Sequence, residues 1–152
     1  MSNRMSKANM FLLIIVCLAQ FIEVMNGSTV TVALPAIQAA FHMQASDLQW
    51  IVTSYVLTFA CFLMIGGRAS DLLGRKRVLI MGLSIFALAS LLGGLAANPI
   101  WLITGRAIQG IGAALSIPAA MSLISTNIPA GPQRNKAFGI FGALGSAGAA
   151  AG

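Results

Sequence analysis

Two ionisable side chains, Glu23 and Arg106, lie inside long apolar stretches of the sequence. A charge held away from water is costly, so such residues are retained mostly where they carry out a function or bind an opposite charge. A carboxylate takes up and releases protons, whereas a guanidinium stays protonated. Together the two side chains predict the handling of protons or of substrate. An ion pair that only joins two helices remains the alternative.

Amide side chains accompany the carboxylate. Gln20, Glu23 and Asn26 recur every third residue, which in a helix forms a polar stripe on one face. Such a stripe in an apolar helix is expected to face protein or a water-filled cavity. We assign Gln20, Asn26 and Gln109 to a substrate pathway.

Other kinds of chemistry have little support in the sequence. His42 is the single histidine, and Cys17 and Cys61 both lie in apolar stretches. Neither a catalytic triad nor a metal-binding spacing is readable, so we expect no enzyme activity, no metal and no cofactor. The basic residues lie at the ends of the apolar stretches, where lipid and topology account for them, so nucleic acid is not an expected partner.

The elements that must position these residues are membrane spans. The 152 residues are 58% hydrophobic and only 8% charged, which leaves too little polar surface for a soluble fold. The apolar blocks have the length at which a helix crosses a hydrocarbon core of about 30 Å. A signal peptide is disfavoured, because the first block continues to about Pro35 without a small-residue cleavage site.

The predicted fold is an all-α, polytopic helical membrane protein. A tail at 1–9 precedes a partial bundle at 10–152, with spans at about 10–34, 51–66, 78–97, 100–125 and 137–152. Pro35 is expected to close the first span. Because the fifth span is cut by the end of the chain, we expect an N-terminal fragment whose remaining spans belong to a larger protein. With a helical rise of 1.5 Å per residue, Glu23 and Arg106 are each expected ~10 Å below the external surface of the membrane.

The basic residues predict the orientation of the chain. Arg4 and Lys7 precede the first span, residues 67–77 contain four basic residues, and residues 126–136 contain two. The intervening loops, 35–49 and 97–99, contain no Lys or Arg. The positive-inside rule therefore predicts that the N-terminus of this multi-pass protein is cytoplasmic. We expect the protein in the plasma membrane.

Small residues predict where helices approach each other closely. Glycines allow tight packing in membranes, where van der Waals contact drives helix association. The glycines expected to pack helices are Gly110, Gly142, Gly145, Gly148 and Gly152.

Residues 67–77, GRASDLLGRKR, form a charged segment between the second and third spans. This segment resembles the signature G-x-L-a-D-r-x-G-R-K/R of the major facilitator superfamily. The matching residues are Gly67, Asp71, Gly74, Arg75 and Lys76, and the departures are Ala69 and Leu72. The resemblance implies a cytoplasmic gating loop in which Gly74 permits a tight turn and Asp71 bonds to helix N-termini or arginines.

Two further strings are similar to motifs of the same family. Residues 102–114, LITGRAIQGIGAA, resemble the fourth-span signature of proton-coupled members, which implies a coupling role for Arg106. Residues 28–35, STVTVALP, are similar to the end of the first-span motif of fourteen-span drug–proton antiporters. In that motif an aspartate stands at the position of Asn26 and an asparagine at that of Thr31. We assign the proton to Glu23, one turn away, by inference from its position.

The glycine-rich run at 139–152 resembles the start of the fifth-span antiporter signature. Together the resemblances imply a proton-coupled secondary transporter that exports drugs or other small amphipathic compounds by alternating access. Its expected partners are a small-molecule substrate, protons and the lipid bilayer. Uptake of a nutrient or ion on the same fold is an alternative. A truncated membrane component that does not transport is another.

Overall fold

The computed structural model describes residues 6–152, so Arg4 and the start of the predicted tail lie outside the described residues. The described chain is folded into five α-helices, which confirms the all-α class. They are α1 (Lys7–Phe41), α2 (Ala45–Leu73), α3 (Arg75–Gly94), α4 (Pro99–Asn127) and α5 (Pro132–Ala151). By length and composition, α1 to α4 can each cross a membrane. The fifth span stays a prediction, because α5 begins with polar and basic residues and continues mainly with Gly and Ala.

The helices extend beyond the spans predicted from hydropathy. The first helix does not end at Pro35 but continues to Phe41. Proline fixes φ near the helical value and removes one backbone donor, so a helix can continue past it, and membrane helices tolerate this loss. Similarly, α5 begins at Pro132, which places Arg134 and Lys136 in a helix rather than in a polar loop.

The connections between the helices are short, and two of them have a clear cause. Gly74 is the single non-helical residue between α2 and α3, with φ of 93°. A side chain rarely adopts this conformation, so the glycine makes the turn possible. Before α4, the Asn98 side-chain oxygen accepts a hydrogen bond from the Trp101 backbone N–H at 2.9 Å, which caps the helix.

Residues 30–119 form one compact unit. Within it α4 packs closely against two helices through small residues. A methyl group at Gly112 would stand 2.7 Å from the Phe86 backbone nitrogen, and one at Gly82 would stand 2.7 Å from the Gly112 carbonyl oxygen. The helix α4 also contacts α2, where Gly66 of α2 lies against the Ala114 carbonyl of α4. Small residues therefore allow α4 to approach the backbones of both α2 and α3.

Residues 6–29 and 120–152 belong to a second compact unit. In this unit α1 lies against α5, and a methyl group at Gly148 would stand 2.7 Å from the Phe21 carbonyl oxygen. The end of α4 is closed by side chains. Arg134 Nε donates to the Ile128 carbonyl at 3.0 Å, and Asn9 Nδ2 donates to the Asn127 carbonyl at 2.8 Å. These bonds satisfy carbonyls that a helix leaves without an intrahelical partner.

A candidate coupling site around a buried arginine

Arg106 is buried in the second turn of α4, with only 4% of its surface exposed. The guanidinium cannot be deprotonated in a protein, so its charge must be balanced by hydrogen bonds and by nearby electron-rich groups. The structure places such groups on α2, on α4 itself and, through Gln109, on α3.

Three neighbours fix the orientation of the guanidinium. Arg106 Nε donates to the Ile51 carbonyl of α2 at 3.3 Å. Arg106 Nη1 donates to the Gln109 side-chain oxygen at 2.7 Å, one turn further along α4. On α2, the Tyr55 ring lies under the charge, with its centroid 4.5 Å from the guanidinium carbon. A cation over an aromatic face is attracted by the ring quadrupole, so the Tyr55 ring stabilises the charge.

Gln109 extends this network to α3. Its side chain is 4% exposed, and its amide nitrogen donates to the Ser90 hydroxyl at 2.7 Å. Because arginine can only donate, the Gln109 oxygen must face Arg106, and the amide nitrogen must then face an acceptor. Ser90 is that acceptor.

The network exists because α2 and α4 lie unusually close together. Gly110 lies against Tyr55 and Thr58 of α2, where a side chain would not fit. The Thr58 hydroxyl donates to the Ala107 carbonyl at 2.8 Å, and the Ser54 hydroxyl donates to the Ile103 carbonyl at 3.3 Å. Two hydroxyls of one helix thus bond to the backbone of the other, which holds Arg106 against Ile51 and Tyr55.

The polar stripe of α1 lies in the unit formed by residues 6–29 and 120–152. Glu23 is buried, with 4% of its surface exposed, whereas Gln20 and Asn26 are half-buried. Gln20 packs against α5, since a methyl group at Gly145 would stand 3.4 Å from its amide nitrogen. Their roles in proton coupling and in a substrate pathway stay predictions.

Most of the glycines expected to pack helices lie at helix contacts. Gly110 approaches α2, while Gly145, Gly148 and Gly152 approach α1. Gly142 differs, because a methyl group there would meet no atom within 4 Å among residues 6–152. The period of three residues placed it in the glycine series, but its position on α5 faces away from α1.

The charged segment is helical apart from Gly74. Gly67 and Asp71 lie in α2, and Arg75 and Lys76 lie in the first turn of α3. Asp71 and Lys76 are exposed. Within the described range, 6–152, the Asp71 side chain forms no hydrogen bond or ion pair, so the bonds implied by the resemblance are not found among these residues. The gating role stays a prediction.

Sequence reasoning missed three groups that contact or support Arg106. The Ile51 carbonyl carries no sequence signal, because any residue supplies one. Tyr55 is the single tyrosine of the chain, and Ser90 is a hydroxyl in an apolar span. An aromatic or hydroxyl residue in a span is a weak signal by itself, and only the packing of α2 and α3 on α4 brings these two to the arginine.

Known proteins resemble this chain in sequence and in fold. The model of the Major Facilitator Superfamily matches residues 16–152. The chain is 43% identical over 140 residues to puromycin resistance protein pur8 of Streptomyces alboniger, covering 92% of this chain and 28% of that protein. It is 44% identical over 140 residues to cephamycin export protein CmcT of Amycolatopsis lactamdurans, covering 92% and 29%.

A third relative is less similar in sequence. The methylenomycin A resistance protein of Bacillus subtilis is 37% identical over 147 residues, covering 97% of this chain and 32% of that protein. The chain therefore spans about a third or less of the length of these relatives. Among solved structures, a bacterial homologue of the human lysosomal transporter Spinster matches with a TM-score of 0.84 at 24% identity. That match covers 95% of this chain and 30% of the other, and it shows the fold.

Proposed function

This chain belongs to the major facilitator superfamily, and on that premise we propose that it forms the N-terminal part of a proton-driven exporter of drugs or other small amphipathic compounds. The relatives named above support the direction of transport, since two are named for antibiotic resistance and one for export. Partners would be a small-molecule substrate, protons and the bilayer. The remaining spans of the complete transporter would supply the second half of the substrate path.

The observation that carries the coupling proposal is the burial of two opposite charges in spanning helices. Glu23 and Arg106 are each only 4% exposed, in a chain with three acidic residues altogether. A carboxyl group inside a membrane protein changes its charge by taking up a proton, while Arg106 keeps its charge. Glu23 would therefore be the group that takes up and releases the proton, whereas Arg106 would supply a permanent positive charge.

Proton uptake can drive transport because it changes the relative stability of two conformations. A ligand shifts a conformational equilibrium only through its different affinity for the two states. In transporters of this kind the substrate binds near the midplane between two rocking bundles. We assign Gln20 and Asn26 to that path, where amides can bind a polar group of an amphipathic compound. The charged segment would stabilise the state that is closed on the cytoplasmic side.

The first experiment tests substrate and driving force with puromycin, because one relative is named for resistance to it. Cells that produce the complete transporter should survive higher puromycin concentrations than control cells. Inverted vesicles with an acidic lumen should accumulate labelled puromycin, because protons leave the lumen as the drug enters, and they should lose it when the proton gradient is collapsed. Accumulation that ignores the gradient would overturn proton coupling.

The second experiment tests Glu23 as the titrating group. Glu23→Gln keeps the size and hydrogen-bonding capacity but cannot ionise, so gradient-driven flux should fall to the background of empty vesicles. Asp47→Asn is the matched control, because Asp47 is an exposed acid at the start of α2 and should be replaceable without loss. Full flux in Glu23→Gln would exclude Glu23 as the coupling site.

A further inference from the structure

We infer that Ser90 is a positioning residue for Arg106: its hydroxyl holds the Gln109 amide, and the amide holds the guanidinium. This inference rests on the proposed function and adds a residue of α3 to the coupling machinery. It also assigns Gln109 to the arginine rather than to the substrate path.

The first step of the argument is the rigidity of Gln109. Its oxygen accepts from Arg106 at 2.7 Å and its nitrogen donates to Ser90 at 2.7 Å, and the side chain is 4% exposed. A glutamine amide has one accepting and one donating end. With a partner at each end, a flipped amide would place donor against donor at Arg106. Arg106 therefore selects the orientation in which Gln109 accepts from the guanidinium, and Ser90 supplies the acceptor that holds the amide nitrogen in that orientation.

The second step concerns what Arg106 would lose without Ser90. In low-dielectric surroundings an amide donor without a partner is costly, so the Gln109 side chain would turn towards another acceptor. The Arg106 Nη1 bond would then be lost, while the Ile51 carbonyl and the Tyr55 ring would remain. The guanidinium would still be buried, but its orientation would be less well defined.

The third step is that the chain of contacts joins three helices. Ser90 lies on α3, Gln109 and Arg106 lie on α4, and Tyr55 lies on α2. A change at Arg106 during coupling can therefore act on α3 through Ser90. A residue that acts through such a chain should affect the coupling of transport to protons more than transport itself.

The test compares two activities of the complete transporter in vesicles, with puromycin as the substrate. One is uptake driven by a proton gradient, and the other is counterflow, in which labelled puromycin exchanges for unlabelled puromycin without a gradient. In Ser90→Ala the driven flux should fall about tenfold, as expected for the loss of about one hydrogen bond. Counterflow should stay within about twofold, because the protein remains folded.

Matched variants separate positioning from a merely structural role. Ser90→Thr keeps the hydroxyl and should keep the ratio of driven flux to counterflow. Ser84→Ala removes an exposed hydroxyl from the same helix and should change neither activity. Gln109→Leu should reproduce the loss seen in Ser90→Ala. Adding Ser90→Ala to Gln109→Leu should cause no further loss, because both act through one contact.

The outcomes distinguish this inference from the proposed function. Wild-type puromycin flux that is absent or ignores the gradient would overturn the proposed function, and this inference with it. A wild type that responds to the gradient, together with an unchanged ratio in Ser90→Ala, would overturn the positioning role alone. An equal fall of both activities in Ser90→Ala would also overturn it, since that result indicates damage to the fold.

Discussion

At the scale of single residues, Arg106 is surrounded by groups suited to a planar guanidinium. The Ile51 carbonyl meets Nε, the Gln109 oxygen meets Nη1, and the Tyr55 ring lies against the plane of the charge. A lysine ammonium is a point charge on a flexible stem and has neither the fork of donors nor the plane. The site therefore distinguishes arginine from lysine, although both carry one positive charge.

Arg106→Lys should lower gradient-driven flux by at least about tenfold, because a charged hydrogen bond of about 1.5–3 kcal/mol is lost with the guanidinium geometry. Vesicle uptake at equal protein levels measures the effect. Lys136→Arg, the reverse exchange at an exposed position in α5, serves as the control and should keep wild-type flux. Full activity of Arg106→Lys would show that charge alone is enough.

What the sequence reveals at this scale is the charged residue and not its surroundings. Arg106 was predictable because a charge in an apolar stretch is rare, and the fourth-span motif marks the same position. Tyr55 and Ser90 were not predictable, because they lie 51 and 16 positions away in the sequence and meet the site only through helix packing. Apolar periodicity predicts that helices exist, but it does not determine which faces meet.

At the scale of the helices, close approach of backbones takes the place of the hydrophobic effect. Lipid is as apolar as a helix surface, so the helices associate by van der Waals packing and by hydrogen bonds between them. Gly82 and Gly112 allow this between α3 and α4, and Gly148 allows it between α1 and α5. The glycine-rich character of α5 is evident in the sequence, but the sequence does not distinguish glycines at the contact from those on the opposite face.

Two glycines of α5 test this difference directly. Gly148→Ala would place a methyl group 2.7 Å from the Phe21 carbonyl oxygen, so the helices must move apart at a cost of about 1–3 kcal/mol. Gly142→Ala meets open space and should be neutral or slightly stabilising, since alanine favours helix by up to about 1 kcal/mol. The thermal midpoints of the two variants, purified in the same detergent, should therefore differ in this order. Equal midpoints would contradict close packing at Gly148.

The charges of the charged segment lie at helix ends where the helix dipole does not favour them. Asp71 is in the last turn of α2, at the negative end of the helix dipole, and Arg75, Lys76 and Arg77 are in the first turn of α3, at the positive end. Each charge has the sign that the dipole disfavours. Helix capping does not explain the three cations, whereas the cytoplasmic location predicted for this segment would.

At the scale of the whole molecule, charge asymmetry and hydropathy give independent views of the topology. Four helices can span the membrane by length and composition. Connections that contain basic residues alternate along the chain with connections that lack them. Hydropathy predicts the number of spans but not their direction, and charge predicts the direction. The helix ends were less predictable, because helices such as α1 continue into the polar regions that hydropathy assigns to loops.

Cysteine labelling of the complete transporter tests this topology. Ser46 lies near the start of α2 and Asn135 lies near the start of α5, and both are exposed. After all cysteines of the complete transporter, including Cys17 and Cys61, are replaced by serine, Ser46→Cys should react with a membrane-impermeant maleimide added to intact cells. Asn135→Cys should react only after the cells are opened, because Arg134 and Lys136 flank it and basic loops stay cytoplasmic. Labelling of both positions from outside would contradict an arrangement in which α2, α3 and α4 separate them by three crossings. The reverse pattern would place the charged segment outside the cell, where it could not gate the cytoplasmic side.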